Sequence, residues 1–549
     1  MSEQFDLVII GAGPGGYSTA LRAAELGMKV ALVERDATVG GTCLNRGCIP
    51  SKALITATHT IDTVHRAAEL GVNASVNGID FGTLRDYRLR VVKTMVGGLA
   101  GLLAHRGITV FRANAAFHAD ETAPATSNHI VHLVPSPDQS DILTYHKADV
   151  PEPSGPTMDL TATNIVIATG AKPRPLPGNP FAGALIDSTQ ALEVNEFPSS
   201  AVIIGAGAIA LEFASMWNAA GSKVTLLIRK DRVLSAWDRR AGTTLTRELK
   251  RHGVNIITRA SVTHVDTGAN LGATVHYTCE GQDGEQSVWG EIALVAIGRD
   301  PITDPAWGVT IDDHGHVATD AYGRTDKPGV WAVGDVTAGH ALAHRAFEQG
   351  IVIAETIAGL NPKPVDEATV PQIVFSFPEA ASVGLTVEQA QAREDLIEIK
   401  ETNYPMLANA RMLMSGTAGS LTMSPAATRP TRTPRACSAC TWSPRWPPTS
   451  SPKPNSWSAT MCRSPTQPAS FTRIPRSVKR SARRCSRPTD GRYTHAETNQ
   501  HKQVRTSAPD KMLFSVFRPN KGRSDGGKGR EAEEAEHNQA DHPDLQVHG

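Results

Sequence analysis

Phe5-Asp6-Leu7-Val8-Ile9-Ile10-Gly11-Ala12-Gly13-Pro14-Gly15-Gly16 opens the chain with a largely apolar run and a glycine-rich turn, and the helical run Tyr17–Leu26 follows. Gly11 permits a tight turn, Gly13 lets backbone approach a pyrophosphate, and Gly16 lets helix and strand pack closely. The first N–H groups of the helix then point at the phosphates. A second strand, Lys29–Val33, ends in Glu34. A carboxylate about twenty residues past the glycines can accept both ribose hydroxyls. The spacing predicts a dinucleotide-binding βαβ unit.

The same pattern returns almost two hundred residues later. Val202-Ile203-Ile204-Gly205-Ala206-Gly207-Ala208-Ile209-Ala210-Leu211-Glu212 repeats the turn, with Ala210 at the third glycine position. The looser fingerprint accepts alanine there. Between and beyond the two turns, short β-branched runs alternate with helical segments, as at Ile165–Ala168, Val224–Leu227 and Leu294–Ile297. That alternation predicts an α/β chain with two doubly wound, Rossmann-like nucleotide-binding domains.

The chain has 549 residues, with 55 basic and 55 acidic side chains. A zero formal charge offers no basic field for nucleic acid or anionic lipid, so a small-molecule chemistry is expected. No apolar run reaches the roughly 18 residues of a membrane span. Met1–Asp6 carries no targeting pattern, and the chain reads as cytoplasmic. Seven cysteines without a secretory signal argue against a disulfide framework.

Two of those cysteines stand in Gly40-Gly41-Thr42-Cys43-Leu44-Asn45-Arg46-Gly47-Cys48-Ile49-Pro50-Ser51-Lys52. Four residues separate them, a little over one helical turn, so both sulfurs can lie within disulfide reach at the start of a helix. The helix head and Lys52 would favour a thiolate. No Cys or His cluster accompanies the pair, so no metal site is expected, and a redox disulfide is preferred over buried structural thiols.

This segment is very similar to the redox-active segment of dihydrolipoamide dehydrogenases, and further motifs agree. Ile165–Gly170 resembles that family's Ala-Thr-Gly crossing between flavin and nicotinamide domains, which includes Thr169 and Gly170. Val330–Asp335 resembles its second flavin motif, and Gly298-Arg299 closes the nicotinamide domain in the family's manner. The resemblance implies FAD and NAD as cofactors and dihydrolipoamide, or a protein bearing it, as partner. Cys43 would exchange with substrate sulfur and Cys48 would lie against the flavin. Lys52 would lie near the flavin ring, with Glu212 as its candidate ion-pair partner. Asp335 would meet a ribitol hydroxyl, while Leu342, Ala343 and His344 would begin a helix facing the flavin, His344 by backbone contact. The implied domains are a flavin-binding part at 1–168, a nicotinamide-binding domain at 169–298, a second flavin part at 299–362 and a partial α+β dimerisation domain at 363–423. A homodimer would follow if that last domain were intact.

The chain departs from the pattern twice. After the second Gly-rich unit the strand ends in Ile228-Arg229-Lys230. No acid stands there to bind the 2′-hydroxyl of NAD, and arginines accommodate the 2′-phosphate of NADP. NAD is the expected acceptor and NADP the alternative. Beyond Met423, Ser, Pro, Thr and Arg dominate, and Ser424–Gln503 contains no Leu, one Ile and one Val. Residues 424–549 are therefore expected to form a disordered tail.

Pro371–Gly384 and Tyr404–Arg411 resemble the opening of the family's dimerisation domain, but the His-x-His-Pro-Thr/Ser-Leu-Ser-Glu segment that carries its acid–base is absent. With suitably chosen codons, Thr472–Lys479 read one base earlier becomes His-Pro-His-Pro-Ser-Leu-Ser-Glu. A frameshift after about residue 423 is the expected cause, and a natural disordered tail is the alternative.

Overall fold

The structure is a computed structural model that describes residues 3–119, 128–147, 150–268, 272–414 and 419–428, together with the backbone of 459–463. All of them fall in one compact unit, Met1–Ser470.

Five parallel strands make the core of the first sheet, in the spatial order Val330–Ala332, Met158–Ile167, Glu3–Ile10, Val30–Glu34, Thr109–Arg112. Along Phe5–Ile10 the side chains alternate between two cores. Leu7 and Ile9 pack with residues of the helices Pro14–Glu25, Phe81–His105 and Ala343–Ile357. Phe5, Val8 and Ile10 pack on the opposite face against Phe117, Val131 and Trp307. With both faces covered, the strands are apolar almost throughout, as a buried parallel sheet requires. Leu7 and Ile9 are fully buried, each contributing roughly 1.5–3 kcal/mol of transfer free energy.

The second parallel sheet runs Leu185–Ile186, Ile292–Val295, Ser200–Ile204, Lys223–Ile228, Asn255–Thr258. It repeats the arrangement of the first. One face packs on Ala208–Ala219 and Arg239–Arg251 through Leu211, Trp217, Leu245 and Leu249. The other is covered by the antiparallel strands Ala260–Asp266, Ala273–Cys279 and Gln286–Gly290. The two nucleotide-binding sheets expected from the paired Gly-rich turns are both present, each closed by helices on one side and antiparallel strands on the other.

A third, antiparallel sheet contains Gln372–Val374, Glu379–Val383, Ser420–Met423 and Thr402–Pro405. Ala459–Arg463 pairs between Glu379–Val383 and Ser420–Met423, and Ala427–Thr428 pairs with Leu396–Ile397. These two pieces depart from the tail expected at 424–549. Strand pairing is made by main-chain groups, so a stretch poor in aliphatic side chains can still complete a ladder. The rest of the expected tail, with the Cys437-x-x-Cys440 pair and the Thr472–Lys479 segment, lies outside the described residues.

Candidate active site

A cleft of about 730 Å³ runs between the two parallel sheets. Its lining includes Gly11, Gly13, Glu34, Cys43, Cys48 and Lys52. Thr169, Gly170, Glu212, Asp335, Leu342 and Ala343 also reach it. Sites distant in sequence are brought to one place because the carboxyl ends of the first sheet's parallel strands open on it.

The glycines behave as their spacing implies. Gly11 sits at φ +105°, and a Cβ there would stand 2.4 Å from the Ala168 carbonyl oxygen. A Cβ at Gly16 would stand 1.9 Å from the Gly11 oxygen. Gly13 precedes the helix Pro14–Glu25, whose N-terminal N–H groups receive no side-chain cap. Uncapped donors at the head of a 12-residue helix, beside Gly13, whose built Cβ meets nothing nearer than Gly41 Cα at 3.9 Å, fit a pyrophosphate. Glu34 is buried, and burial raises its carboxyl pKa against two main-chain donors. Ala12 N–H and Asp36 N–H each reach it at 2.9 Å. Asp335 is likewise raised by burial, opposed by the charges of Arg299 and Arg345. These features fit FAD.

The thiol pair lies on two helices rather than one. Cys43 belongs to the short helix Gly41–Arg46, and Cys48 is the first residue of Cys48–Arg66. Gly47 breaks the run at φ −148° and ψ −106°, and a side chain there would crowd the Thr42 carbonyl oxygen at 3.0 Å. The break turns the second helix so that its N-terminus carries Cys48. Both cysteines are free thiols, and the sulfurs are hydrogen-bonded to each other.

That bond and the surroundings set the two pKa values apart. The Cys43 thiol donates to Cys48, which raises Cys43, and burial raises it further. Cys48 is lowered to about 7, first by that hydrogen bond, with burial opposing and the Lys52 charge assisting. Cys48 is therefore the more readily ionised of the two, and Cys43 the less. Its sulfur is reachable from the cleft although the residue lies deep in the protein. Lys52 Nζ bonds both Glu212 oxygens, at 2.9 and 2.7 Å. Glu212 also accepts from Phe375 N–H at 3.1 Å. The pairing of Lys52 with Glu212 ties the thiol helix to the helix of the second Gly-rich turn.

Around that second turn, Gly205 adopts φ +139°, and a Cβ would lie 2.2 Å from the Ala296 carbonyl oxygen. Gly207 heads the helix Ala208–Ala219, again without a side-chain cap. Ala210 is fully buried where a third glycine would stand. Arg229 and Lys230 are exposed at the strand end, and Arg232 donates to Asp231 at 3.1 Å and to the Ser235 carbonyl at 3.2 Å. Gly298, at φ +138°, precedes Arg299 at the edge of the cleft.

Three placements could not be read from the sequence. His344 does not line the cleft, and its Nε2–H donates to the Pro371 carbonyl at 2.6 Å. Thr169 Oγ donates to the Ile302 carbonyl at 2.7 Å, which carries Ile302, Thr303 and Asp304 into the cleft wall. Arg46 pairs with Asp36 beside Glu34. Local signals for these residues are weak, since each depends on a partner more than a hundred residues away or on a loop path.

Residues 5–350 match the pyridine nucleotide-disulphide oxidoreductase family. The chain belongs to that family. It is an FAD-dependent oxidoreductase. This oxidoreductase is 35% identical over 412 residues to the dihydrolipoyl dehydrogenase of Geobacillus stearothermophilus, covering 74% of this chain and 81% of that one. It is 36% identical over 413 residues to the dihydrolipoyl dehydrogenase of Bacillus subtilis, with the same coverage. Among solved structures, LpdA of Mycobacterium tuberculosis superimposes with a TM-score of 0.66 at 25% identity, over 77% of this chain and 86% of that one. The flavoprotein disulfide reductase RclA of Escherichia coli, in its Cu(II) complex, gives 0.63 at 27% identity with the same coverage. Among the described residues no helix is long and apolar enough to cross a membrane.

Proposed function

We propose that this oxidoreductase is of the dihydrolipoyl dehydrogenase type, oxidising protein-bound dihydrolipoamide with NAD⁺ as acceptor. The observation that carries the reading is the division of roles at the thiol pair. Cys43 and Cys48 line one cleft with the Lys52–Glu212 ion pair, with the Cys48 thiol lowered and the Cys43 thiol raised by their mutual interaction.

In the oxidised pair, a substrate thiolate attacks Cys43 sulfur, the Cys43–Cys48 bond breaks, and Cys48 leaves as thiolate. The second substrate thiolate then attacks the mixed disulfide. The lipoyl ring closes, Cys43 is released, and two electrons remain on the protein pair while two protons leave the substrate. Attack at Cys43 makes the low-pKa Cys48 the leaving group, the faster direction of exchange. Lys52 steadies the departing thiolate, and Glu212 holds Lys52 in place.

Bound FAD supplies the two-electron relay between thiols and nicotinamide. The turn at Gly11–Gly16 and Glu34 would hold its adenosine and pyrophosphate end, and Asp335 its ribitol. The second turn at Gly205 and Gly207 would hold the nicotinamide dinucleotide. The reading places the protein in the cytoplasm with a lipoyl-bearing protein as partner, and as a homodimer only if its interface domain is intact.

The exposed Arg229 and Lys230 favour a second reading, an NADP-linked reductase of small disulfides. Assaying lipoamide reduction with NADH and with NADPH separates the two. Faster turnover with NADH supports the first reading, and dependence on NADPH with no lipoamide activity supports the second. A frameshift near residue 423 accounts for the missing acid–base segment, which leaves a third outcome, a flavin-binding protein that retains its cofactor but turns over neither substrate.

A further inference from the structure

The antiparallel sheet covering the second nucleotide-binding domain carries a side-chain cluster on its outward face. In Ala260–Asp266 and Ala273–Cys279, the residues Ala260, Ala273, Val275, Tyr277 and Cys279 point into the core. Val262 and Val265 are partly buried against the same core, while His264, Asp266 and His276 lie on the outward face. His264 stands directly opposite His276 across the strand pair, and Asp266 lies two residues beyond His264. A register shift between Val262 and His264 sets this alignment, as bulges commonly do when they re-aim a side chain.

The two imidazole rings are stacked, with centroids 4.1 Å apart and planes 9° from parallel. They also point the same way. Asp266 Oδ2 is 3.1 Å from His276 Nε2 and 3.9 Å from His264 Nε2. On the opposite ring edge, Glu285 places one oxygen 3.7 Å from His264 Nδ1 and the other 3.7 Å from His276 Nδ1. Thr263 Oγ donates to Glu285 at 2.6 Å and fixes it there.

We propose that His264, His276 and Asp266 form a binding site for a divalent metal of the zinc class, with Glu285 as the carboxylate that orients both histidines. Ligand atoms from the three residues lie within 4.8 Å of one another. A tetrahedral zinc with bonds near 2.0–2.1 Å needs ligand atoms about 3.3 Å apart; the two Asp266 distances bracket that value, and the stacked rings must tilt out of parallel for both Nε2 lone pairs to converge on one ion. The Glu285 charge on that edge, with Thr263 Oγ 3.3 Å from His264 Nδ1, favours protons on Nδ1 and leaves both Nε2 atoms on the Asp266 side as ligands. This is the carboxylate–histidine–metal order that fixes tautomer and ring orientation. Two imidazoles and a carboxylate suit zinc, nickel or copper rather than magnesium or calcium. A fourth position stays open to water. The same four residues could instead be plain ion pairs, and that reading leaves zinc affinity independent of them.

The test uses full-length protein with its thiols blocked by N-ethylmaleimide, so that Cys43, Cys48 and the other cysteines cannot compete. Zn²⁺ is titrated calorimetrically into this protein and into His264→Ala, His276→Ala and Glu285→Gln variants treated alike. The parent is expected to take up one equivalent more than either alanine variant. Glu285→Gln should keep that equivalent with affinity about ten-fold weaker. Equal zinc uptake by the parent and both alanine variants would overturn the proposal. Both histidines lie on the outward face, and matching thermal melts of the metal-free proteins check that the alanine variants keep the fold.

Discussion

Cys48 shares a hydrogen bond with Cys43, lies near Lys52 and sits in a cleft that opposes charge. The balance holds its thiol at about 7, below the ordinary thiol range. Thiolate is present above that value and lost as pH falls through it, so alkylation of Cys48 by iodoacetamide should rise through pH 7 rather than near 8.5. Replacing Lys52 by methionine removes the nearest cation and leaves Glu212. The midpoint of the alkylation profile should then move up by roughly one unit. A profile unchanged in Lys52→Met would remove Lys52 from the thiolate's environment. Much of this was legible in the sequence, because Cys43, Cys48 and Lys52 are close in the chain and helix geometry relates them. The helix break at Gly47 was not legible, because a glycine can also continue a helix and only the fold sets its backbone outside helical angles.

At the scale of elements, the two Gly-rich turns make opposite demands from the glycines of a helix body. Gly16 lies where any Cβ would collide with the Gly11 carbonyl, whereas Gly101, inside Phe81–His105, has nothing within 4 Å of a built Cβ. Gly16→Ala should therefore cost roughly 1–3 kcal/mol and loosen flavin retention. Gly101→Ala should stabilise by about 0.5–1 kcal/mol, since alanine loses less entropy in a helix. Thermal melts of the two variants check the signs, and a destabilised Gly101→Ala with an unaffected Gly16→Ala would contradict the packing described. Strand and turn assignments near these glycines were readable because apolar runs and turn residues alternate cleanly. The histidine–aspartate cluster was hidden for the opposite reason. Only the cross-strand register places His264 beside His276.

At the scale of the whole molecule, the two parallel sheets and the cleft between them are what the duplicated turn pattern implies. The third sheet shows where the sequence stops being a guide. Its Ala459–Arg463 strand comes from a stretch with almost no aliphatic residues, and it pairs with both of its neighbours in the ladder. Composition reports on core burial and is blind to that contribution. The chain also lacks a His-Glu pair in the pattern expected of an acid–base, and a missing general base typically removes about 10²–10⁴-fold in rate. Lipoamide turnover is accordingly expected to be slow even where thiols and flavin are intact. Chemistry at the thiol pair should survive this loss, because Cys48 does not need a base to be a thiolate near pH 7. The most direct measurement is the visible spectrum of the flavin-loaded protein after one equivalent of dihydrolipoamide. A long-wavelength thiolate-to-flavin band should appear in the parent and be absent from Cys48→Ser. A parent that shows no such band, or a Cys48→Ser protein that shows it equally, would contradict the assignment of Cys43 and Cys48 as the redox pair.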